Sequence, residues 1–70
     1  MEIKLAQRLK ELRTWEGISQ AKLAEAIGVD KSMFAHVELG KCLVSVETLV
    51  LLALHFKVTT DYLLGLSDNM

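Results

Sequence analysis

The side chains best suited to catalysis or metal binding in this sequence are two histidines, His36 and His55, and one cysteine, Cys42. Nucleophilic catalysis requires a nucleophile, a base and a residue that orients the base, and the spacing of these side chains supports no such set. Cys42 and two remote histidines also lack the close ligand spacing of a zinc site. The 4 glycines are separated and form no loop that could hold a phosphate. We therefore expect no enzymatic activity, no metal and no cofactor.

The composition limits the remaining classes of protein. Seventy residues allow one domain, and a single cysteine excludes an internal disulfide, which is typical of a reducing cytoplasm. The net charge is −1, from 8 basic and 9 acidic residues, whereas nucleic-acid-binding domains are usually basic. The distribution weakens that objection, because Lys57 is the only basic residue after Lys41. The basic and the apolar parts of the sequence are therefore separate.

The apolar part is too short and too interrupted for a membrane span. The run from Leu43 to Phe56 contains Ser45 and Glu47 and is well below the roughly 20 apolar residues that cross a bilayer. The first residues, MEIKLAQRLK, contain charges and no apolar block typical of a secretion signal. We expect a soluble, cytoplasmic protein. Its apolar content of 51% and mean hydropathy of +0.32 are high for a small monomer, which indicates a surface that contacts another chain.

Apolar residues recur at helical spacing, and glycines separate the resulting segments. Leu5, Leu9 and Leu12 define a first amphipathic helix, and Trp15 is expected to cover its edge. No segment alternates with period two, so we expect an all-α fold, with one domain over residues 1–66 and a short, loose tail over residues 67–70. The five predicted helices are Ile3–Glu16, Gln20–Ile27, Lys31–Leu39, Val46–Lys57 and a last one from Thr59 or Thr60 to Gly65.

The second and third predicted helices are separated only by Gly28, Val29 and Asp30. Such a short connection forces consecutive helices to cross steeply, which is the geometry of a helix-turn-helix motif. Gly28 is expected to supply left-handed backbone where helix 2 ends. Ser19, Asp30 and Ser45 suit the N-caps of helices 2, 3 and 4. This geometry leaves open whether the corner binds DNA or only packs a helical core.

A series of short motifs extends in order from Gln20 to Gly65. The motifs are Gln20, Leu23-Ala24, Gly28-Val29, Phe34, Val37-Glu38, Gly40-Lys41, Ser45, Glu47-Thr48-Leu49 and Val58 followed by Asp61-Tyr62-Leu63-Leu64-Gly65. As an ordered set they resemble the phage repressor and Cro family of helix-turn-helix domains, and the resemblance covers nearly the whole chain, from Leu5 to Gly65. The resemblance implies a compact five-helix, lambda-repressor-like fold. It also implies a transcriptional regulator, usually a repressor, that binds palindromic operators in double-stranded DNA as a dimer.

The resemblance assigns DNA reading to the third helix, which family members insert into the major groove. Lys31 can donate to guanine O6 and N7, Ser32 can donate or accept, and two apolar side chains can pack on a thymine methyl. The residues implied to contact bases are Lys31, Ser32, Met33, Ala35 and His36. For Lys31 and Ser32 the alternative is a solvated helix start.

The same resemblance implies phosphate contacts from Ser19, Gln20 and Lys41. The start of helix 2 has free N–H groups that suit an anion. Alternatively, Ser19 acts only as a cap and Lys41 is only solvated. Arg13 and Glu38 match a family pair that joins helix 1 to the end of helix 3, and the planar guanidinium suits a bidentate carboxylate contact. We assign this pair a structural role.

Helix 4 carries more leucine than one core can use. The predicted core stripe of this helix is Leu49, Leu52, Ala53 and Phe56, and Leu51 and Leu54 fall opposite it. Cys42, Leu43 and Val44 replace the basic residue and proline that the family often has. We predict a homodimer whose paired third helices lie about 34 Å apart. The predicted interface residues are Leu43, Val44, Leu51, Leu54, Leu64 and Leu66.

A second interpretation remains open. The acidic balance and the apolar helix 4 also fit a protein-interaction module, such as an antitoxin or an anti-repressor, that keeps the fold but no longer depends on DNA. Both activities could occur in one chain.

Overall fold

The computed structural model describes residues 2–70, so Met1 of the predicted domain lies outside the described residues. Over this part of the chain the structure consists of helices and connections without a β-strand, which confirms the predicted all-α, five-helix architecture. None of the described helices has the length and apolar content to cross a membrane. The helices are α1 (Leu5–Glu16), α2 (Gln20–Ile27), α3 (Met33–Glu38), α4 (Val46–Phe56) and α5 (Thr60–Leu64).

The main contacts between helices form a closed ring around one core. α1 packs against α3 and α5, α2 packs against α3 and α4, and α4 packs against α5. Apolar residues spaced three or four apart supply one face of each longer helix. The buried apolar residues are Leu5, Leu9, Leu12, Leu23, Ala24, Phe34, Val37, Leu52, Ala53 and Leu63. Leu49 and Phe56 of the predicted core stripe are half-buried at the margin of this core, as is Ile27 at the end of α2.

Side-chain hydroxyls begin three of the helices. Ser19 Oγ accepts a hydrogen bond from the backbone N–H of Lys22 at 3.1 Å, and Ser45 Oγ accepts one from that of Thr48, also at 3.1 Å. Thr59 has the same role before α5. Each bond satisfies a backbone donor that the first turn of a helix leaves free, and a cap of this kind is worth about 1 kcal/mol. The predicted caps at Ser19 and Ser45 are confirmed.

The α2–α3 corner is built on left-handed backbone at Gly28, where φ is +91°. The backbone N–H groups of Gly28 and Val29 both donate to Ala24 O, at 2.8 and 3.0 Å, and these bonds close the end of α2. Val29 packs partly buried against the core and fills the angle between the helices. α3 begins at Met33 and not at Lys31 as predicted, because the residues after Asp30 form a turn.

Arg8 is an unexpected member of the interior. Its side chain is 9% exposed, and its guanidinium lies 4.2 Å from the centre of the Tyr62 ring. The guanidinium donates to Tyr62 O at 2.7 Å, to Ser67 O, and to Asp68 Oδ1 at 2.8 Å. Farther along, the backbone N–H of Thr59 donates to Met70 O at 3.1 Å. The expectation of a loose tail is therefore wrong, because a buried cation on α1 holds it.

Trp15 is exposed and His55 is half-buried at the surface of the fold. Trp15 is 87% exposed, so the expectation that it covers the edge of α1 is wrong. His55 is half-buried, with its ring edge-to-face against Phe56 and Nε2 2.9 Å from Glu16 Oε1. This contact connects the end of α4 to the end of α1.

Candidate nucleic-acid interface

α3 is oriented by two core side chains. Phe34 and Val37 are 0% and 1% exposed, so the remaining positions of this short helix face outward or along its edges. Lys31 and Ser32, in the turn before the helix, and His36, on its second turn, are all exposed. The structure thus leaves all three polar side chains that were predicted to contact bases exposed, two in the turn before α3 and one on its last turn.

The two apolar members of the predicted set differ from these three. Met33 is half-buried and packs against the core, and Ala35 is half-buried at the edge of a cleft beside α1. Their exposed atoms can offer only apolar contact, for example to a thymine methyl. Hydrogen-bonding chemistry at this surface therefore comes from Lys31, Ser32 and His36.

The turn before α3 is fixed by Asp30. Its Oδ1 accepts hydrogen bonds from the backbone N–H of Ser32 at 2.8 Å and from the Ser32 hydroxyl at 2.6 Å. Both bonds lower the pKa of the Asp30 carboxyl below its usual range, and the bond from the Ser32 hydroxyl has the larger effect. The aspartate predicted as an N-cap thus forms a local turn with Ser32, which displaces the start of the helix to Met33.

The opposite end of α3 is joined to α1 and α2 through Glu38. Arg13 Nε donates to Glu38 Oε2 at 2.7 Å, and another guanidinium nitrogen donates to Oε1 at 2.9 Å. Arg13 also donates to Ile18 O at 3.0 Å, and Gln20 Nε2 donates to Glu38 Oε1 at 3.0 Å. The structure therefore brings Arg13 and Glu38 together in the bidentate geometry expected of them and adds Gln20, which sequence reasoning did not place there.

The charges of this cluster stabilise one another. Burial by itself raises the pKa of Glu38, whose side chain is 5% exposed, but hydrogen bonds from Arg13 and Gln20 and the nearby charges of Arg13 and Lys10 lower it below its usual value overall. The hydrogen bond to Glu38 raises the pKa of Arg13 in turn. The pair is therefore fully ionised near neutral pH and holds the end of α3 to α1.

An open cleft of about 460 Å³ separates α1 from the start of α2 and the outer edge of α3. Its lining residues are Lys10, Arg13, Ser19, Gln20, Ala35, Glu38 and Leu39. Two predicted phosphate contacts, Ser19 and Gln20, lie in this cleft, and Lys10 adds a cation that the sequence analysis did not select. Lys41 lies beyond the end of α3 and is exposed, while its backbone N–H donates to His36 O at 3.0 Å.

A second candidate surface is the exposed apolar side of α4. Leu43, Leu54 and Leu66 are 59%, 69% and 58% exposed, and Leu51 is at the margin of exposure, whereas Val44 and Leu64 of the predicted interface are half-buried. Sequence reasoning gave less weight to Val46 and Val50, which are 78% and 45% exposed. Their i, i+4 spacing with Leu54 identifies them as one stripe. We call Val46, Val50, Leu51 and Leu54 the α4 stripe.

Comparison with known proteins places the chain in a family. The family described as Helix-turn-helix matches residues 9–63. Among curated proteins, the uncharacterized HTH-type transcriptional regulator YobD of Bacillus subtilis is 38% identical over 63 residues, and these cover 90% of this chain and 56% of that protein. The regulator YonR, derived from the SPbeta prophage of the same bacterium, is 36% identical over 83% of this chain and 54% of its own length. The chain thus spans about half the length of the curated relatives it matches.

Solved structures agree with the sequence comparison. The restriction-modification controller protein C.AhdI from Aeromonas hydrophila is 39% identical, with a TM-score of 0.77 over 87% of this chain and 92% of that one. The hypothetical transcription factor NHTF from Neisseria is 27% identical, with a TM-score of 0.78 over 86% of this chain and 69% of its own. A Listeria innocua regulator at 24% identity shares the fold, with a TM-score of 0.89 over 100% of this chain and 65% of its own. The chain therefore belongs to the helix-turn-helix family, and α2 and α3 form the motif that gives the family its name.

Proposed function

We propose that this protein binds double-stranded DNA through α3 and regulates transcription, most simply as a repressor that blocks a promoter. The observation that carries the proposal is the exposure of Lys31 and Ser32 just before α3 and of His36 on its last turn, while Phe34 and Val37 hold the other side of the helix in the core. In this family geometry the N-terminal part of the second helix of the motif meets base edges in the major groove.

The cleft beside α3 is the proposed phosphate site. Lys10 and the N-terminal turn of α2, with Ser19 and Gln20, line it, and a cation together with free backbone N–H groups attracts an anionic oxygen. Lys41 is proposed to contact phosphate on the other side of α3. Phosphate contacts from both sides would fix the register of α3 in the groove, while its own side chains read the bases. A cytoplasmic location is part of this proposal, because in bacteria, the source of the relatives described above, DNA lies in the cytoplasm.

The decisive experiment compares binding to random duplex DNA with binding to duplexes selected from a random library, across a series of salt concentrations. A DNA reader prefers the selected sequences, and its log affinity falls linearly with log salt, because each phosphate contact releases counterions. We expect Lys31→Ala to weaken binding to the selected duplex roughly 5- to 100-fold, as losing one base contact costs about 1–3 kcal/mol.

Lys57→Asn is the matched control. It also removes one lysine charge, but at the end of α4, and asparagine tolerates the left-handed backbone found there. We expect this variant to bind the selected duplex nearly as tightly as the wild type. Equal losses from Lys31→Ala and Lys57→Asn, or affinity that is independent of salt and sequence, would rule out DNA reading by α3.

We further propose that the protein forms a homodimer through the α4 stripe, with Leu43 and Leu66 beside it, and binds a palindromic operator. The support is the exposure of these side chains, since large contiguous apolar surface usually marks an interface. Paired α3 helices about 34 Å apart would meet successive major grooves.

Leu54→Glu is expected to give a monomer at micromolar concentration in sedimentation experiments. Trp15→Glu changes an even more exposed apolar side chain, on α1, and should leave the dimer intact. A monomeric wild type, with and without DNA, would refute this proposal.

The competing function is a protein-interaction module, such as an antitoxin or an anti-repressor, that uses the same stripe for another protein. Its support is the net charge of −1 together with the exposed leucines. Such a module would bind DNA weakly and without sequence preference, so the salt series discriminates between the two functions.

A further inference from the structure

Asp30 and Ser32 form a hydrogen-bonded pair on the exposed turn that leads into α3. One carboxylate oxygen of Asp30 accepts both the backbone N–H of Ser32, at 2.8 Å, and its hydroxyl, at 2.6 Å. Both residues are exposed. They lie next to Lys31, at the end of α3 that is proposed to enter the major groove.

The chemistry of this pair fixes the direction of the hydroxyl proton. An ionised carboxylate can only accept hydrogen bonds, so the proton between the two oxygens belongs to Ser32. A serine hydroxyl has one proton and two acceptor lone pairs. Once its proton is committed to Asp30, Ser32 can offer an approaching group only an acceptor. A free serine would be able to donate or accept.

Bases differ in what they present to such an acceptor. In the major groove adenine N6 and cytosine N4 are amino donors, whereas guanine O6 and thymine O4 are keto acceptors. Each base pair has one amino base and one keto base, so a side chain that only accepts can distinguish which strand carries the amino base. The negative charge of Asp30 beside it acts in the same direction, because it repels a keto oxygen.

We propose that Asp30 is a positioning residue that makes Ser32 a reader of amino bases, selecting adenine or cytosine over guanine or thymine at the position it contacts. The inference rests on the proposed function, since it requires α3 in the major groove. Lys31 is a pure donor and favours the opposite class of base, above all guanine. Adjacent residues of one turn therefore read opposite hydrogen-bonding groups.

The test begins with duplexes selected from a random library by the full chain and, separately, by Ser32→Ala. We expect at least one position at which the wild type selects adenine or cytosine and Ser32→Ala selects neither class. At that position the amino group is then removed without adding a keto group, by replacing adenine with purine or cytosine with 2-pyrimidinone. Wild-type affinity should fall about 3- to 10-fold, the value of one neutral hydrogen bond, and Ser32→Ala should be insensitive to the replacement.

Two substitutions at position 30 show whether Asp30 orients the Ser32 hydroxyl for base reading or only stabilises the turn. In Asp30→Asn the amide oxygen still accepts both hydrogen bonds, so the preference for amino bases should persist. In Asp30→Ala the hydroxyl is free to rotate and donate, so the variant should accept amino and keto bases within about 2-fold of each other. Circular dichroism melts of both variants show whether either substitution unfolds the chain, and the duplex series with Ser32→Ala does not depend on their result.

The outcomes distinguish this inference from the proposed function. If the wild type shows no sequence preference at any salt concentration, both are overturned. If it selects sequences but no amino-base position responds to Ser32→Ala, DNA reading stands and the role of Ser32 is refuted. If Asp30→Ala keeps the full preference while Ser32→Ala loses it, Ser32 reads the base and the positioning role of Asp30 is wrong.

Discussion

Replacing Glu38 with alanine is expected to destabilise the whole fold before it affects any ligand. The carboxylate is 5% exposed and receives two hydrogen bonds from Arg13 and one from Gln20. Truncation leaves the Arg13 guanidinium, whose side chain is 16% exposed, without its counter-charge. It also leaves the amide of Gln20 without its acceptor at the boundary between α1, α2 and α3.

The size of the effect follows from this geometry. Removing one partner of a buried ion pair costs about 3–5 kcal/mol, and the partial exposure of Arg13 lets water recover some of that loss. We expect the free energy of unfolding to fall by about 2–4 kcal/mol, a large share of the roughly 4–10 kcal/mol available to a chain of this size. Since about 1 kcal/mol shifts Tm by 4–8 °C in small domains, Tm should fall by roughly 10–25 °C.

The assay is urea and thermal unfolding followed by circular dichroism at pH 7. Fluorescence is less suitable, because Trp15 is 87% exposed and changes its surroundings little on unfolding. Glu25→Ala is the matched control. Glu25 is exposed and forms a 3.8 Å ion pair with exposed Lys22, so its removal should change stability by less than about 0.5 kcal/mol.

A small effect would refute the reasoning. If Glu38→Ala and Glu25→Ala lowered stability equally, the cluster would not hold α3 in place. A double-mutant cycle with Arg13→Ala gives a second criterion, because residues in direct contact show coupling of about 0.5–3 kcal/mol. Additive effects would mean that the contact contributes no net stability.

Three further results are expected. The pKa of Glu38 is lower in the folded chain than its unfolded value of about 4.5. Ionised Glu38 therefore stabilises the fold above pH 4.5, and this stabilisation is lost as the pH falls through the folded pKa. Urea unfolding from pH 6 to pH 3 should show this loss, and Glu38→Gln should remove that part of the pH dependence. Arg8→Met should release the C-terminal tail, lower stability by about 2–3 kcal/mol and accelerate amide exchange at Thr59, whose N–H donates to Met70 O; unchanged exchange would mean that the tail is held without Arg8. Lys57 has φ of +58°, so Lys57→Gly should be more stable than Lys57→Ala by about 1 kcal/mol in the same unfolding assay, and the reverse order would contradict left-handed backbone at this position.

The features that were predictable from the sequence are those with local causes. Leu5, Leu9 and Leu12 are spaced so that only a helix puts them on one side, and they are buried in the structure. Ser19 and Ser45 act on backbone groups three residues away, so the residues that signal each cap also form it. Periodicity and capping thus sufficed for the number and order of the helices.

The errors have physical reasons as well. An aspartate before a helix can accept a hydrogen bond from a backbone N–H of the first helical turn or from a residue two positions on in a local turn. Since one side chain suits both arrangements, the sequence around Asp30 does not determine where α3 begins. The burial of Arg8 was not predictable in the same way, because its partners are 54 to 60 residues away. No local pattern indicates that a cation on α1 will meet backbone carbonyls from the far end of the chain.

Gln20 shows how a predicted ligand contact and an observed structural contact can coexist. The side-chain amide has two N–H groups, and one of them is bound to Glu38 at 3.0 Å. A carboxylate only accepts, so it holds the nitrogen of the amide toward itself and fixes the plane of the group. The second N–H remains as a donor on the cleft that Lys10 and Ser19 also line. A phosphate oxygen, which also only accepts, needs that donor, so anchoring of Gln20 by Glu38 preorganises the proposed phosphate contact.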